Sequence, residues 1–231
     1  MISFYAIVLN EEEQVRYMLD CAAQVADLLD VCSIVDNGST DATLDIVHSY
    51  RDRVPLQMLR EVHHSHHGQL RNLALSICRG DYVLYLDADE TWTRDMRDWL
   101  LSEHYREADQ WDFYKYTTIV DRFHYVSGGN GPCYRMFRRA PGIHYTQNVH
   151  TEAVADSLGA RRLAQGPLLF DHTACKSREA LISKGWRYQV HQGTVGVGPW
   201  HEYIGRVENA HRLGLVSEFD GSIRNRIFTG P

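Results

Sequence analysis

The chain has 231 residues, enough for one substantial α/β core, and its 44% hydrophobic and 23% charged content is that of an ordinary globular protein. A formal net charge of −6 without a long Lys/Arg run argues against general nucleic-acid binding, which depends on neutralising phosphates with basic residues. No stretch nears the roughly 18 apolar residues of a membrane span, and "MISFYAIVLNEEE" carries neither a basic leader nor a cleavage site, so the expectation is a cytoplasmic protein without a transmembrane segment.

In chain order, "ISFYAIVL" (2–9) is a continuous apolar run suited to a buried parallel strand. Apolar residues at Val15, Met18, Leu19, Ala22, Ala26 and Leu29 then predict a helix from about Glu11 to Leu29, with the three glutamates in its first turn. A second strand, "VCSIVD", ends at Asp36, and "NGSTDAT" supplies a glycine turn and caps for a helix through about Tyr50. A short strand near "LQMLREV" and a helix over "QLRNLALSICRG", stopped by Gly80, lead to the strand "DYVLYLD". Strands alternating with helices predict an open, mainly parallel sheet flanked by helices, which binds ligands at the carboxyl ends of its strands.

After Asp89 the texture changes. "TRDMRDWLLSEHY" predicts an amphipathic helix, "WDFYKYTTIVDRFHYV" two strands of mixed direction, and "SGGNGPCYRMFRR" a glycine-rich turn returning into a strand. "PGIHYTQNVHTEAV" and "GPLLFDHTACKS" read as the last sheet pieces, followed by two C-terminal helices. The expected organisation is one domain over 1–231: a ligand-binding half at 1–92, a second half at 93–175 and a helical segment at 176–231. Five scattered cysteines without a C-x-x-C pair suit reduced, buried thiols.

Asp87 and Asp89 in "YLDADETW" need explaining, since an Asp-x-Asp arises about once by chance in a chain of this length and aspartate content. Position says more than pattern. Read as a strand continuation, the two-residue period puts both carboxylates on one side, where they can share a divalent cation and leave room for substrate phosphates. They could also be two acids that merely end a strand.

Four polar stations fall at strand ends: Asn10-Glu11, Asp36 to Asp41, Gly68-x-x-Arg71-Asn72 and Asp87-x-Asp89. In "VLNEEE", "IVDNGSTDAT", "GQLRNLAL" and "DYVLYLDADE" the chain resembles the nucleotide-sugar-binding half of family 2 glycosyltransferases of the GT-A (Rossmann-like) fold, closely over residues 2–92. Further on, "YRMFRR", "NVHTEAV" and "LLFDHT" resemble more loosely a bacterial subgroup like the lipopolysaccharide-core glucosyltransferases.

The resemblance implies a metal-dependent transfer of one sugar from a nucleoside diphosphate sugar, UDP-linked by expectation, to a hydroxyl acceptor with inversion. Asn10, Glu11, Asp36 and Arg71 would serve donor binding, Asp36 at the base and Arg71 at the diphosphate or base. Asp87 would meet the donor ribose or a metal-bound water, and Asp89, with His172 as a further ligand and Asp171 as fallback, would hold Mn²⁺ or Mg²⁺. Glu152 is the expected base, oriented or replaced by His150, with Asp121 and Asp112 in reserve. Arg135, Arg138 and Arg139 could meet a phosphate-bearing acceptor or lie on a solvated strand. The "HHSHH" histidines read as a solvated loop rather than a metal site. Without a Gln-x-x-Arg-Trp motif the resemblance does not extend to processive synthases. The alternatives are a nucleotidyltransferase, which would need a basic glycine-rich phosphate loop where "VLNEEE" is acidic, and a non-catalytic nucleotide-sugar-binding module.

Overall fold

Four apolar runs form the parallel centre of the sheet: β1 (Ile2–Val8), β2 (Leu29–Asp36), β3 (Leu56–Arg60) and β4 (Tyr82–Tyr85). They lie in the order β3-β2-β1-β4, with β1 in register against both neighbours, Tyr5 beside Ser33 and Tyr85. This computed structural model describes residues 1–62, 67–119, 124–126, 130–145, 162–163, 167–177, 179–184 and 216–218.

The alternation of side chains explains why these runs are apolar throughout. Phe4, Ala6 and Val8 of β1, Ile34 of β2 and Leu84 of β4 point to one face. There they pack with Val15, Met18 and Leu19 of α1 (Val15–Gln24), Val47 of α2 (Thr43–His48) and Met96 and Leu100 of the later helix over Met96–Leu101. The interleaved Tyr5, Val35, Val83 and Tyr85 pack on Leu70 and Ala74 of α3 (His67–Ile77) on the other face. Helices therefore cover both faces and leave the strand ends as the place for a ligand.

Beyond β4 come β5 (Glu90–Trp92), the Met96–Leu101 helix (α4), β6 (Gln110–Ile119), β7 (His124–Val126), β8 (Asn130–Arg138), β9 (Arg162–Leu163), β10 (Leu169–Ala174) and β11 (Val216–Glu218). β8 continues the sheet antiparallel to β4, β6 follows antiparallel to β8, and β7 and β11 extend the far edge. β10 runs parallel to β6 and antiparallel to β5. This is the expected mixed sheet.

Two local expectations changed. The helix predicted from Glu11 to Leu29 is shorter, because the backbone N–H groups of Glu11 and Glu12 bond Thr43 at the start of α2 and Asp41 of the loop before it, while Leu29 is taken into β2 opposite Ile2. Tertiary pairing overrides propensity at both ends. Gly80 is not a helix cap. A Cβ there would sit 2.7 to 2.8 Å from Ser3 N, Ile2 C and Met1 O, so the absence of a side chain lets β4 start hard against β1. The first C-terminal helix is seen over 179–184; the rest of it and the second helix lie outside the described residues.

Candidate functional site

The loops after β1 and β2 are laced together. Asn10 adopts a left-handed backbone, φ +53°, which asparagine tolerates better than most residues. Its Oδ1 accepts the N–H of Thr40 at 2.8 Å, and its own N–H donates to Ser39 Oγ at 3.0 Å. Glu12 caps Ala42 N–H at 2.9 Å. The acidic "NEEE" thus finds its partners in "STDAT", which accounts for two of the four sequence stations by loop geometry.

Asp36 is fully buried at the end of β2. Its carboxylate accepts the N–H groups of Gly38 (3.2 Å) and Ser39 (2.9 Å) and pairs with Arg60 at 3.3 Å. Gly38, at φ +93°, supplies the left-handed turn that brings those donors round. Asp36 therefore shapes the turn it was expected to read a base from.

The Asp-x-Asp differs from the expected strand. β4 ends at Tyr85, and Asp87-Ala88-Asp89-Glu90 is a turn closed by Glu90 N–H to the Asp87 carbonyl at 2.9 Å. The two carboxylates accordingly sit in different environments. Asp87 takes Arg71 Nη2 at 2.9 Å on Oδ1 and Arg135 Nη2 at 2.8 Å on Oδ2, yet its side chain stays 42% exposed. The protein crowded around Asp87 disfavours its charge, but Arg135 and Arg71 outweigh that and hold the carboxyl well below the usual carboxylate range. Both guanidiniums lie over the Tyr85 ring, at 4.8 Å for Arg135 and 4.9 Å for Arg71.

Glu90 organises this arrangement, and the sequence left it unassigned. It is 1% exposed. Its carboxylate receives Arg135 through Nε (2.7 Å) and Nη2 (2.8 Å), Lys115 Nζ (3.1 Å) and the backbone N–H of Asp87 (3.1 Å). Such a fork needs arginine. Arg135, opposite the carboxyl end of β4, is thus committed to Glu90 and Asp87. Arg138 and Arg139 belong elsewhere: Arg138 pairs with Tyr82 in the β8–β4 register, at the amino end of β4, and bonds Asp109, while Arg139 bonds the Gly80 carbonyl.

Asp89 is buried among ammonium groups. Lys176 Nζ lies 3.0 Å from its Oδ2 and 2.5 Å from Glu11 Oε2, and Lys184 bonds the same Asp89 oxygen. Burial, with Asp89's charge adding to it, raises the Glu11 carboxyl above its ordinary value against the pull of Lys184 and Lys176. His172 is next door through the backbone, its N–H donating to the Asp89 carbonyl at 2.8 Å. Its Nε2 is engaged with Thr91 Oγ1 at 2.8 Å, and Asp171 pairs with Lys115 at 3.4 Å.

Among the described residues no three His, Cys, Asp or Glu side chains form a ready-made metal cage. A hard divalent ion shared with substrate phosphates needs only one or two protein carboxylates. Asp89, which already gathers two cationic groups on one oxygen, fits that demand; His172 Nε2 would have to leave Thr91 to join it. Asp112 is on β6, buried, with Oδ1 lacking a hydrogen bond. Glu152, His150, Asp121, His63, His64 and His66 lie outside the described residues.

A mainly parallel sheet with an acid-bearing turn at the carboxyl edge of β4 and an antiparallel extension beyond it is the GT-A class of glycosyltransferase architecture. The model of glycosyl transferase family 2 matches residues 3–128, more than half of the chain, and the protein belongs to that family.

Among curated relatives, the lipopolysaccharide core biosynthesis glycosyltransferase LpsC of Rhizobium meliloti is 32% identical over 110 residues, 47% of this chain and 38% of that one. An uncharacterized Mycobacterium tuberculosis protein is 33% identical over 100 residues, 42% of this chain and 29% of its own. The chain thus spans well under two thirds of these relatives. Two solved structures share the fold. The Staphylococcus aureus TarS structure spanning 1-349 has a TM-score of 0.55 at 17% identity, covering 91% of this chain and 71% of that one. The mannosyltransferase PcManGT from Pyrobaculum calidifontis, in complex with GDP-Man and Mn²⁺, has 0.58 at 17% identity, covering 93% and 70%.

Proposed function

We propose that the chain transfers one sugar from a nucleoside diphosphate sugar, with UDP as the favoured nucleotide, to an acceptor hydroxyl. The observation that carries this reading is the turn 87–90, which gathers the carboxylates of Asp87, Asp89 and Glu90, the Arg71 and Arg135 guanidiniums and the Lys176 and Lys184 ammoniums at the carboxyl edge of the parallel strands. A diphosphate is stabilised by cationic groups beside it, and a ribose hydroxyl donates more strongly to a carboxylate held in a fixed direction than to a neutral acceptor. The TarS structure in complex with UDP supports the nucleotide, and PcManGT with GDP-Man and Mn²⁺ supports the wider donor class and the use of an ion.

In this reading Asp87, kept ionised by its two arginines, accepts hydrogen bonds from the donor ribose. Asp89 holds Mn²⁺ or Mg²⁺, which when bound neutralises charge on the departing nucleoside diphosphate. Glu152 removes the acceptor hydroxyl's proton while the anomeric carbon gains oxocarbenium character, and His150 orients it; attack opposite the leaving group inverts the centre. The lack of a Gln-x-x-Arg-Trp sequence supports a single transfer rather than processive synthesis. Five scattered cysteines without a C-x-x-C pair suit a reducing compartment, which favours the cytoplasm. Among the described residues no helix is long and apolar enough to cross a membrane.

The test is a panel of nucleotide sugars assayed for release of nucleoside diphosphate, with and without Mn²⁺, in the wild type, Asp89→Ala and Glu152→Gln. Metal-stimulated release that Asp89→Ala abolishes is expected. UDP binding without turnover of any donor would make the chain a binding module, and turnover indifferent to both substitutions would remove the proposed site.

A further inference from the structure

The acids and bases of the site fall into two groups that differ in chemistry. Around Asp87 and Glu90 the partners are mainly guanidiniums, forked and stacked on Tyr85. At Asp89 and Glu11 two ammoniums come in, carried by lysines on the segment that follows β10. Lys176 is 4% exposed and Lys184 14% at the side chain, so both charges are largely out of water. Both reach the same oxygen of Asp89. Bringing two like charges to one buried carboxylate oxygen is costly, and here it is offset by the second carboxylate, Glu11, which holds Lys176 from the other side.

The two ammoniums and the two carboxylates balance. A bare divalent ion at that Asp89 oxygen competes with the two ammoniums already on it and adds positive charge beside them. An ion arriving on a nucleoside diphosphate brings its own negative charge, and the displaced ammonium gains phosphate oxygens in place of Asp89. Lysine suits the exchange: it is a compact point charge on a flexible stem, whereas the arginine fork around Glu90 is fixed by geometry.

We propose that Lys176 and Lys184 are diphosphate-binding residues that pair with Asp89 until the donor binds, so that a divalent ion enters with the nucleotide rather than before it. The proposal rests on the nucleotide-sugar reading above. It assigns Lys184, the more accessible of the two at the side chain, as the residue that changes partner. No covalent step is involved. Only ion pairs are exchanged.

The experiment measures two affinities by titration calorimetry in the full chain: Mn²⁺ alone, and UDP at saturating Mn²⁺. Lys184→Met keeps the stem and removes the charge. It is expected to tighten binding of Mn²⁺ alone by about tenfold or more and to weaken UDP by about tenfold or more, opposite signs from one substitution. Lys184→Arg should restore UDP affinity to within a few fold. Lys176→Met should move both affinities in the same directions, and its thermal midpoint reports whether the fold survives. An Mn²⁺ affinity that Lys184→Met leaves unchanged, or a UDP affinity that it strengthens, overturns the exchange while leaving the nucleotide-sugar reading intact. Failure of the wild type to bind UDP under any metal condition removes that reading, and the exchange with it.

Discussion

Arg135→Met tests whether the buried fork around Glu90 holds the acid-bearing turn together. The substitution keeps most of the apolar stem but removes three charge-assisted bonds, at 2.7 and 2.8 Å to Glu90 and 2.8 Å to Asp87. Taking one partner from a buried ion pair costs about 3–5 kcal/mol because the remaining charge is stranded. Glu90 would still have Lys115 and the Asp87 N–H, which places the expected loss at the lower end, about 3 kcal/mol. For a chain of this size that is a fall of about 6–12 °C in the thermal midpoint. Urea unfolding at pH 7 should show the same loss with an unchanged slope. A second measurement follows from the depressed Asp87 carboxyl. With its folded value below the unfolded value of about 3.9, its stabilisation is fully present above that pH and is lost as the pH falls through the folded value. Removing one of its two guanidiniums raises the folded value, so Arg135→Met should unfold at a higher pH than the wild type in acid titration. A variant within about 0.5 kcal/mol of wild type at pH 7, the range of an ordinary surface change, would refute the anchoring role.

Gly80→Ala should destabilise by about 1–3 kcal/mol or prevent folding, read by urea unfolding, because the added methyl meets the backbone of Met1, Ile2 and Ser3 rather than a movable side chain; wild-type stability would mean that β1 and β4 can separate freely. At Asn10, alanine loses both the left-handed backbone and the bond to Thr40, whereas glycine loses only the bond, so Asn10→Ala should be the less stable by about 0.5–1 kcal/mol. Equal midpoints for the two would assign Asn10 to the bond alone. Glu152→Gln should lower kcat by about 10²–10⁴ while leaving UDP affinity at the wild-type level. A fall in UDP affinity with kcat preserved would place Glu152 on the donor side.

The first half of the fold was legible because its signals are local. Continuous apolar strands, a glycine turn after Asp36 and the helical face of Leu70 and Ala74 each state their environment within a few residues. The site residues were legible by position but less so by role. Asn10 and Asp36 were recognised at strand ends, yet their side chains bond backbone N–H groups that only the juxtaposition of two loops supplies. Glu90 was missed because its partners, Lys115 and Arg135, lie 25 and 45 residues away, and nothing near it in sequence betrays a buried carboxylate. Lys176 and Lys184 were missed for the same reason. Their only sequence signal was the presence of two lysines in a segment otherwise read as helix, and it is the approach of that segment to Glu11 and Asp89 that gives them meaning.

The separation of Asp87 from Asp89 follows from the turn that replaces the expected strand. On a strand the two carboxylates would have shared one environment and one cation. In the turn closed by Glu90 they diverge, and the chain gives each a different class of partner. Asp87 is held by Arg135, which Glu90 and the Tyr85 hydroxyl lock in place, and by Arg71, which lies over the Tyr85 ring, so its direction is set before any ligand arrives. Asp89 is held by ammoniums, whose stronger hydration and flexible stems make the pairing easier to exchange. In the nucleotide-sugar reading proposed above, a fixed acid suits a ribose held in one orientation and an exchangeable acid suits a diphosphate released after each transfer. Two aspartates separated by a single residue can divide those roles because their counterions differ.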